Sequence, residues 1–243
     1  MSGHSKWAQI KRKKAATDEK RGRMFGKLLR AVEVATREGG PSIEGNMTLA
    51  SAVEKARSYS VPWDNIERAI KRASGAAGEA HYEEVVYEGY GPGGVAIVVE
   101  AVTDNRNRTG QEVRHAFARL AGKLGDPGSV AWMFDRKALF TIDKTTQPDE
   151  DELLEVVLEA GADDLRDAGE QWEVFGSVRK ALDAAGVKVT SAELTRLPQT
   201  GVPLDGERAQ SVLRLVEALE ELDDVQAVYA NFDIPEEILV QTG

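Results

Sequence analysis

One stretch constrains this chain more than any other. It runs Tyr87-Glu88-Gly89-Tyr90-Gly91-Pro92-Gly93-Gly94 and continues as Val95-Ala96-Ile97-Val98-Val99-Glu100-Ala101-Val102-Thr103. Residues Val95 to Val102 are almost unbroken in β-branched and small apolar side chains, the pattern of a strand buried on both faces. Four glycines and Pro92 punctuate its start. A Rossmann or P-loop glycine motif follows a strand and opens a helix. Here the glycines precede the strand, so the helix N-terminus that would hold a phosphate is missing. The segment therefore reads as a strand-entry turn.

Charge divides the chain at the same place. The 243 residues carry 31 Lys+Arg and 41 Asp+Glu, a formal net charge of −10. Residues 1–72 hold 16 basic and 8 acidic side chains, +8, which leaves 15 basic and 33 acidic, −18, for the rest. A basic head on an acidic body points to a polyanion partner for the head. Lys6, Lys11, Arg12, Lys13, Lys14, Lys20, Arg21 and Arg23 crowd into the first 23 residues, with only Trp7 and Ile10 strongly apolar. This basic arm is a candidate for phosphate contact, because Lys and Arg release condensed counterions there. Trp7 is a candidate to stack on a base or to pack inward.

Helical spacing is clear in the head. Phe25, Leu28, Leu29, Val32 and Ala35 form one stripe over 24–37, ended by Gly39-Gly40-Pro41. Asn46 is placed to cap a second helix through Leu49, Val53 and Ala56, and Pro62 to open a third with Ile66, Ala69 and Ile70 inward. No helix among them shows an obvious set of base-reading side chains. Beyond the linker 76–80, strands are expected near Glu84–Tyr87, over Val95–Thr103 and over Ser129–Phe134. A helix capped by Asn107 or Thr109 is expected to run to about Lys123. From Asp135 the order β-α-(β)-β-α-β reads as a ferredoxin-like unit. A last helix through Val212, Leu215, Val216 and Leu219, with the strand Val225–Phe232, has no sheet nearby in sequence. Returning it to the Val95–Val102 strand makes the ferredoxin-like unit an insertion. The expected fold is α+β with three domains. These are a basic helical domain (1–78), a discontinuous mixed domain (79–134 plus 203–243) and an inserted mixed domain (135–202).

Catalysis finds little support. His4, His81 and His115 are widely spaced and there is no Cys, so neither metal-ligand spacing nor a thiolate site is present in the pattern. No cofactor and no small-molecule substrate are expected. The N-terminus lacks the apolar core of a secretory signal, and no run approaches about 18 apolar residues. A cytoplasmic protein with no membrane partner is the expectation. Asp104-Asn105-Arg106-Asn107-Arg108-Thr109 makes a turn and cap by composition. It also sets Arg106 and Arg108 at the C-terminal end of the central strand, as candidate nucleic-acid contacts.

Several segments together carry a family resemblance: Gly3-His4-Ser5-Lys6-Trp7, Lys14-Ala15, Asp64-Asn65-Ile66-Glu67-Arg68-Ala69-Ile70, the stretch Tyr87 to Thr109, Glu112 to Phe117, Gly128-Ser129-Val130-Ala131, Asp223-Asp224-Val225-Gln226 and Asn231-Phe232-Asp233. In these the sequence resembles the YebC family. That resemblance implies three domains, with the third inserted in the second, and no enzymatic activity. For function it implies either a DNA-binding transcriptional regulator or an RNA-binding, ribosome-associated translation factor that relieves stalling, for example at proline runs. A protein partner for the acidic mixed domains is the plainer alternative.

Overall fold

The computed structural model describes residues 18–75, 82–147 and 149–234. Three helices open it: α1 (Asp18–Gly39), α2 (Met47–Ser58) and α3 (Trp63–Ser74). Leu28, Val32 and Ala35 of α1 meet Leu49, Val53 and Ala56 of α2 and Ile66 and Ala69 of α3 in one core. The first helix starts earlier than its apolar stripe predicts, at Asp18 rather than near residue 24. Asn46 does more than cap α2. Its Oδ1 accepts from the Leu49 N–H at 3.0 Å, while its Nδ2 donates to the carbonyls of Ala35 and Gly40. One buried amide thus satisfies orphan groups at the end of α1 and the start of α2.

The first sheet has the order β3-β1-β2-β9, and its strands are β1 (Glu83–Tyr90), β2 (Ala96–Thr103), β3 (Lys123–Leu124) and β9 (Val225–Ala230). Strand β2 is its centre, antiparallel to β1 on one side and to β9 on the other. The turn between β1 and β2 is a short 3₁₀ segment, Pro92–Gly94, in which Gly93 and Gly94 take φ of 75° and 79°. Those angles strain any residue with a Cβ. Helices α4 (Arg106–Arg119) and α7 (Gly206–Glu220) cover one face of the sheet. Val95, Ile97 and Val99 pack there with Phe117, Leu215 and Leu219.

Strand β1 passes so close to this layer that Gly89 has no room for a side chain. A Cβ there would lie 2.7 Å from the Lys123 carbonyl oxygen and 2.8 Å from Phe117. Gly89→Ala is expected to cost about 1–3 kcal/mol, because neither backbone nor a packed ring yields easily. Equilibrium urea denaturation checks it.

The second sheet has the order β5-β6-β4-β7, with β4 (Phe134–Asp143), β5 (Asp164–Asp167), β6 (Gln171–Phe175) and β7 (Val189–Pro198). Helices α5 (Glu150–Glu159) and α6 (Arg179–Ala184) complete the β-α-β-β-α-β order, and Phe140, Leu153, Trp172 and Leu182 share its core. The fold is α+β as the sequence implies. The α7–β9 segment returns to the central strand, so the second sheet is inserted into the unit built on the first. A parallel pair, β8 (Val202–Pro203) with β10 (Phe232–Asp233), closes the exit.

Three local expectations are overturned. The strand expected over Ser129–Phe134 is a loop with a 3₁₀ turn, Ala131–Met133, and β4 begins only at Phe134. The cause is Glu88, a buried carboxylate on β1. It accepts the backbone N–H groups of Gly128 (2.6 Å), Val130 (2.7 Å) and Ala131 (2.7 Å). Donors committed to a side chain cannot join a sheet ladder. The cap of α4 is Asn105, whose Oδ1 accepts from the Arg108 N–H at 3.1 Å, rather than Asn107 or Thr109. The same helix ends at Arg119 instead of near Lys123, because Lys123 and Leu124 extend to pair with β1.

Candidate nucleic-acid interface

Lys6, Trp7, Lys11, Arg12, Lys13 and Lys14 lie outside the described residues. Lys20 and Arg21 fall in the first turns of α1, and Arg23 follows on an exposed position of the same helix. Charge is steepest before the helix. Residues 1–17 hold five basic side chains and no Asp or Glu, whereas residues 18–72 hold the other eleven against eight acidic ones. Any polyanion contact by the head therefore draws mainly on the first 17 residues and the start of α1.

The other two candidates, Arg106 and Arg108, stand in the first turn of α4. Arg106 is largely exposed and lies 3.9 Å from Glu83. Arg108 is committed elsewhere. Its Nη2 donates to Asp224 at 2.8 Å and to Asp104 at 2.9 Å. Asp224 sits in the turn between α7 and β9, with its side chain only 3% exposed. Arg30 of α1 reaches the other oxygen, Nη1 to Oδ1 at 2.6 Å. The hydroxyls of Thr109 and Thr103 lie 2.6 Å and 3.1 Å from Oδ2. One carboxylate thus ties the helical head, the start of α4, the end of β2 and the turn before β9 together. Lys27 adds a 2.5 Å bond to the Glu220 carbonyl.

Burial opposes the charge on Asp224, but the hydrogen bonds from Arg108, Thr109 and Thr103 outweigh it and hold its pKa below the usual carboxylate range. Burial also acts to raise that of Glu88. The three backbone N–H groups again win, and its pKa is lowered. For a group whose folded pKa is depressed, the stabilisation is present above the unfolded pKa and lost as pH falls through the folded one. Acid titration is therefore expected to loosen both clamps together below about pH 4. Circular dichroism against pH, in wild type and Asp224→Asn, checks it: the variant should lose the part of the acid dependence that Asp224 supplies.

Arg23, Arg30 and Arg108 line an open cleft of about 650 Å³ beside this clamp. Asp104, Glu112, Glu221, Asp223 and Asp224 line it too, so acidic groups outnumber basic ones. A phosphate would meet net negative charge there. Arg108 acts in the clamp, and the exposed Arg106 stands at its edge. Among the described residues, no group of three His, Cys, Asp or Glu is placed to hold a metal ion, and no helix is long and apolar enough to cross a membrane.

The glycine-rich turn is buried at Gly91 and exposed at Gly93 and Gly94. A Cβ at Gly91 would lie 3.0 Å from Ile97, and one at Gly93 would lie 2.9 Å from Leu204. On the described surface of the head, α3 exposes Arg68, Lys71 and Arg72 after Asp64 and Glu67. Arg72 is paired with Glu33 at 2.9 Å.

Residues 5–76 match the TACO1/YebC protein N-terminal domain, and residues 82–232 match the TACO1/YebC second and third domain. The chain belongs to the TACO1/YebC family. A probable transcriptional regulatory protein of Acidothermus cellulolyticus is 52% identical, over 99% of this chain and 100% of its own length. One from Pelotomaculum thermopropionicum is 51% identical, over 96% and 99%. Among solved structures, the crystal structure of a conserved hypothetical protein from Aquifex aeolicus superposes with a TM-score of 0.83 at 46% identity, covering 93% of this chain and 95% of that one. In this YebC chain, sequence reasoning singled out Arg108 but missed the partner that explains it. The available signal was the acid pair Asp223-Asp224 just before the last apolar strand, which had no assigned role.

Proposed function

We propose that this YebC-family protein is a non-enzymatic, nucleic-acid-binding regulator of gene expression that acts in the cytoplasm, with DNA as its first target. The observation that carries this is the charge division: a basic arm of residues 1–23 leads into a head that Arg30 and Asp224 dock onto a strongly acidic body. An acidic body limits indiscriminate sticking and leaves the arm as the contact. The relatives' name, probable transcriptional regulatory protein, supports DNA.

A second reading, an RNA-binding translation factor seated on the ribosome, draws support from α3. Its exposed face carries Asp64 and Glu67 toward its start and Arg68, Lys71 and Arg72 toward its end. The basic end suits phosphate contact better than reading of base edges, and RNA helices are recognised mainly by shape and phosphate. Under either reading, affinity is expected to fall steeply with salt. Reversing the charge of Lys11, Arg12, Lys13 and Lys14 should reduce the slope of log K against log salt by about 3 to 4, at roughly 0.9 per lost contact on duplex DNA. Fluorescence anisotropy with a labelled duplex between about 50 and 200 mM salt tests it. An unchanged slope would show that the arm is not the contact. A specific-to-nonspecific ratio below about ten would reject sequence-specific regulation and favour the second reading.

A further inference from the structure

The loop that Glu88 holds carries two large aromatic residues into solvent. Trp132 is 68% exposed and Tyr90 38%. Neither is loosely placed. The Tyr90 hydroxyl and the Trp132 Nε1 both donate to the Ser129 carbonyl oxygen, each at 3.1 Å, so the two rings are neighbours. The loop beneath them is pinned by the three N–H bonds to Glu88. A fold that spends a buried carboxylate on presenting exposed rings calls for an explanation other than tolerance of a stray surface aromatic.

Charge flanks the rings at both ends. Lys123 is the cross-strand partner of Tyr90 in the β1–β3 pair, and so shares its face of the sheet. Four residues along β1 on that same face, Val86 is 40% exposed. Its cross-strand partner Glu100 lies 3.7 Å from the exposed guanidinium of Arg136. On this face the buried Glu88 lies between Val86 and Tyr90, and the row is bounded by Lys123 at one end and by the Glu100–Arg136 pair at the other.

We propose that Tyr90 and Trp132 form a stacking platform for one or two bases of a single-stranded nucleic acid, with Lys123 and Arg136 meeting the phosphates on either side. The platform deepens the nucleic-acid reading above and rests on it. The polar tips decide between occupants. Grooves that take extended peptides use Tyr and Trp as donors to peptide carbonyls, with the rings as walls. Here both donors are already committed to Ser129, and only ring faces remain. Every base has a face to stack, so the surface should be tolerant of sequence.

The test uses the full chain and a labelled 12-mer of oligouridylate at low salt, with an abasic 12-mer and a decaproline peptide as the comparison ligands. Trp132→Ala and Tyr90→Ala, both at exposed positions, are each expected to weaken oligouridylate binding between about five- and a hundred-fold while abasic binding stays as in wild type. Lys123→Glu, which leaves both rings in place, should weaken both ligands alike. Oligouridylate should quench tryptophan emission in the wild type, and Trp132→Phe should remove that quench. If Trp132→Ala and Tyr90→Ala bind within twofold of wild type while reversal of Lys11–Lys14 still weakens binding, the platform is rejected and the nucleic-acid reading stands. If decaproline rather than oligouridylate quenches Trp132, the surface takes peptide and the platform is rejected. If no nucleic acid binds at all, both readings fail.

Discussion

Asp224→Ala is expected to destabilise the protein by about 3–5 kcal/mol, the cost of removing one partner from a buried ion pair. The reason is the number of donors it would strand. Arg30 would lose its carboxylate, Arg108 would keep only Asp104, and the Thr103 hydroxyl would lose its acceptor while that of Thr109 keeps the Asn105 carbonyl. Asp224→Asn should cost less, since the amide keeps one acceptor oxygen, but it turns a donor toward one of the arginines. Arg30→Met should cost about 1 kcal/mol or less, because Arg30 is partly solvated and Asp224 keeps its other partners. Urea denaturation of the three variants and of the double Arg30→Met/Asp224→Ala checks the assignment. Loss of Asp224 at under about 1 kcal/mol would show that the clamp is ornamental. The clamp also predicts a change in shape. Without it the head should swing from the body, and small-angle scattering should show a larger radius of gyration for Asp224→Ala than for wild type.

Glu88→Ala is expected to cost about 2–4 kcal/mol, since it leaves the N–H groups of Gly128, Val130 and Ala131 without their acceptor. Val130 is fully buried, so water cannot readily replace the carboxylate at its amide. Glu88→Gln should fall between, with one carbonyl oxygen kept and an NH₂ set against a backbone donor. The readout is local. Hydrogen exchange at these three amides should accelerate in Glu88→Ala well beyond any change in the helical head. Equal acceleration everywhere would mean that Glu88 acts through global stability, and not by holding the loop.

These two carboxylates also mark where sequence reading stopped. Periodicity located α2, α3 and α7 and the central strand, because an apolar stripe or an unbroken apolar run reports burial directly. The return of β9 to β2 was legible too: an apolar strand with no neighbour in sequence has to pair somewhere. Glu88 gave no such signal. In sequence it is one acid in a β-strand, and only the loop that folds over it, forty residues later, makes it an anchor. The strand read into Ser129–Phe134 fails for that reason, since Val130 to Met133 are apolar enough for a strand but the N–H groups of Val130 and Ala131 are taken by Glu88. Arg108 shows the same limit, since its pairing with Asp224 is invisible in sequence. A guanidinium at a strand end looks available to a ligand until Asp224, 116 positions away, is brought beside it. Long-range polar pairing leaves no local period, so charges that hold domains together look like charges that bind partners.

The most direct test of the central claim is sedimentation of the tagged protein from a gently broken lysate through a density gradient, with parallel DNase and RNase treatments and with the Lys11–Lys14 charge-reversed variant beside wild type. Fast migration with DNA, abolished by DNase and by charge reversal, is the predicted result; release by RNase alone would move the protein to the ribosomal reading. Migration that neither nuclease nor charge reversal alters would contradict nucleic-acid binding through the basic head.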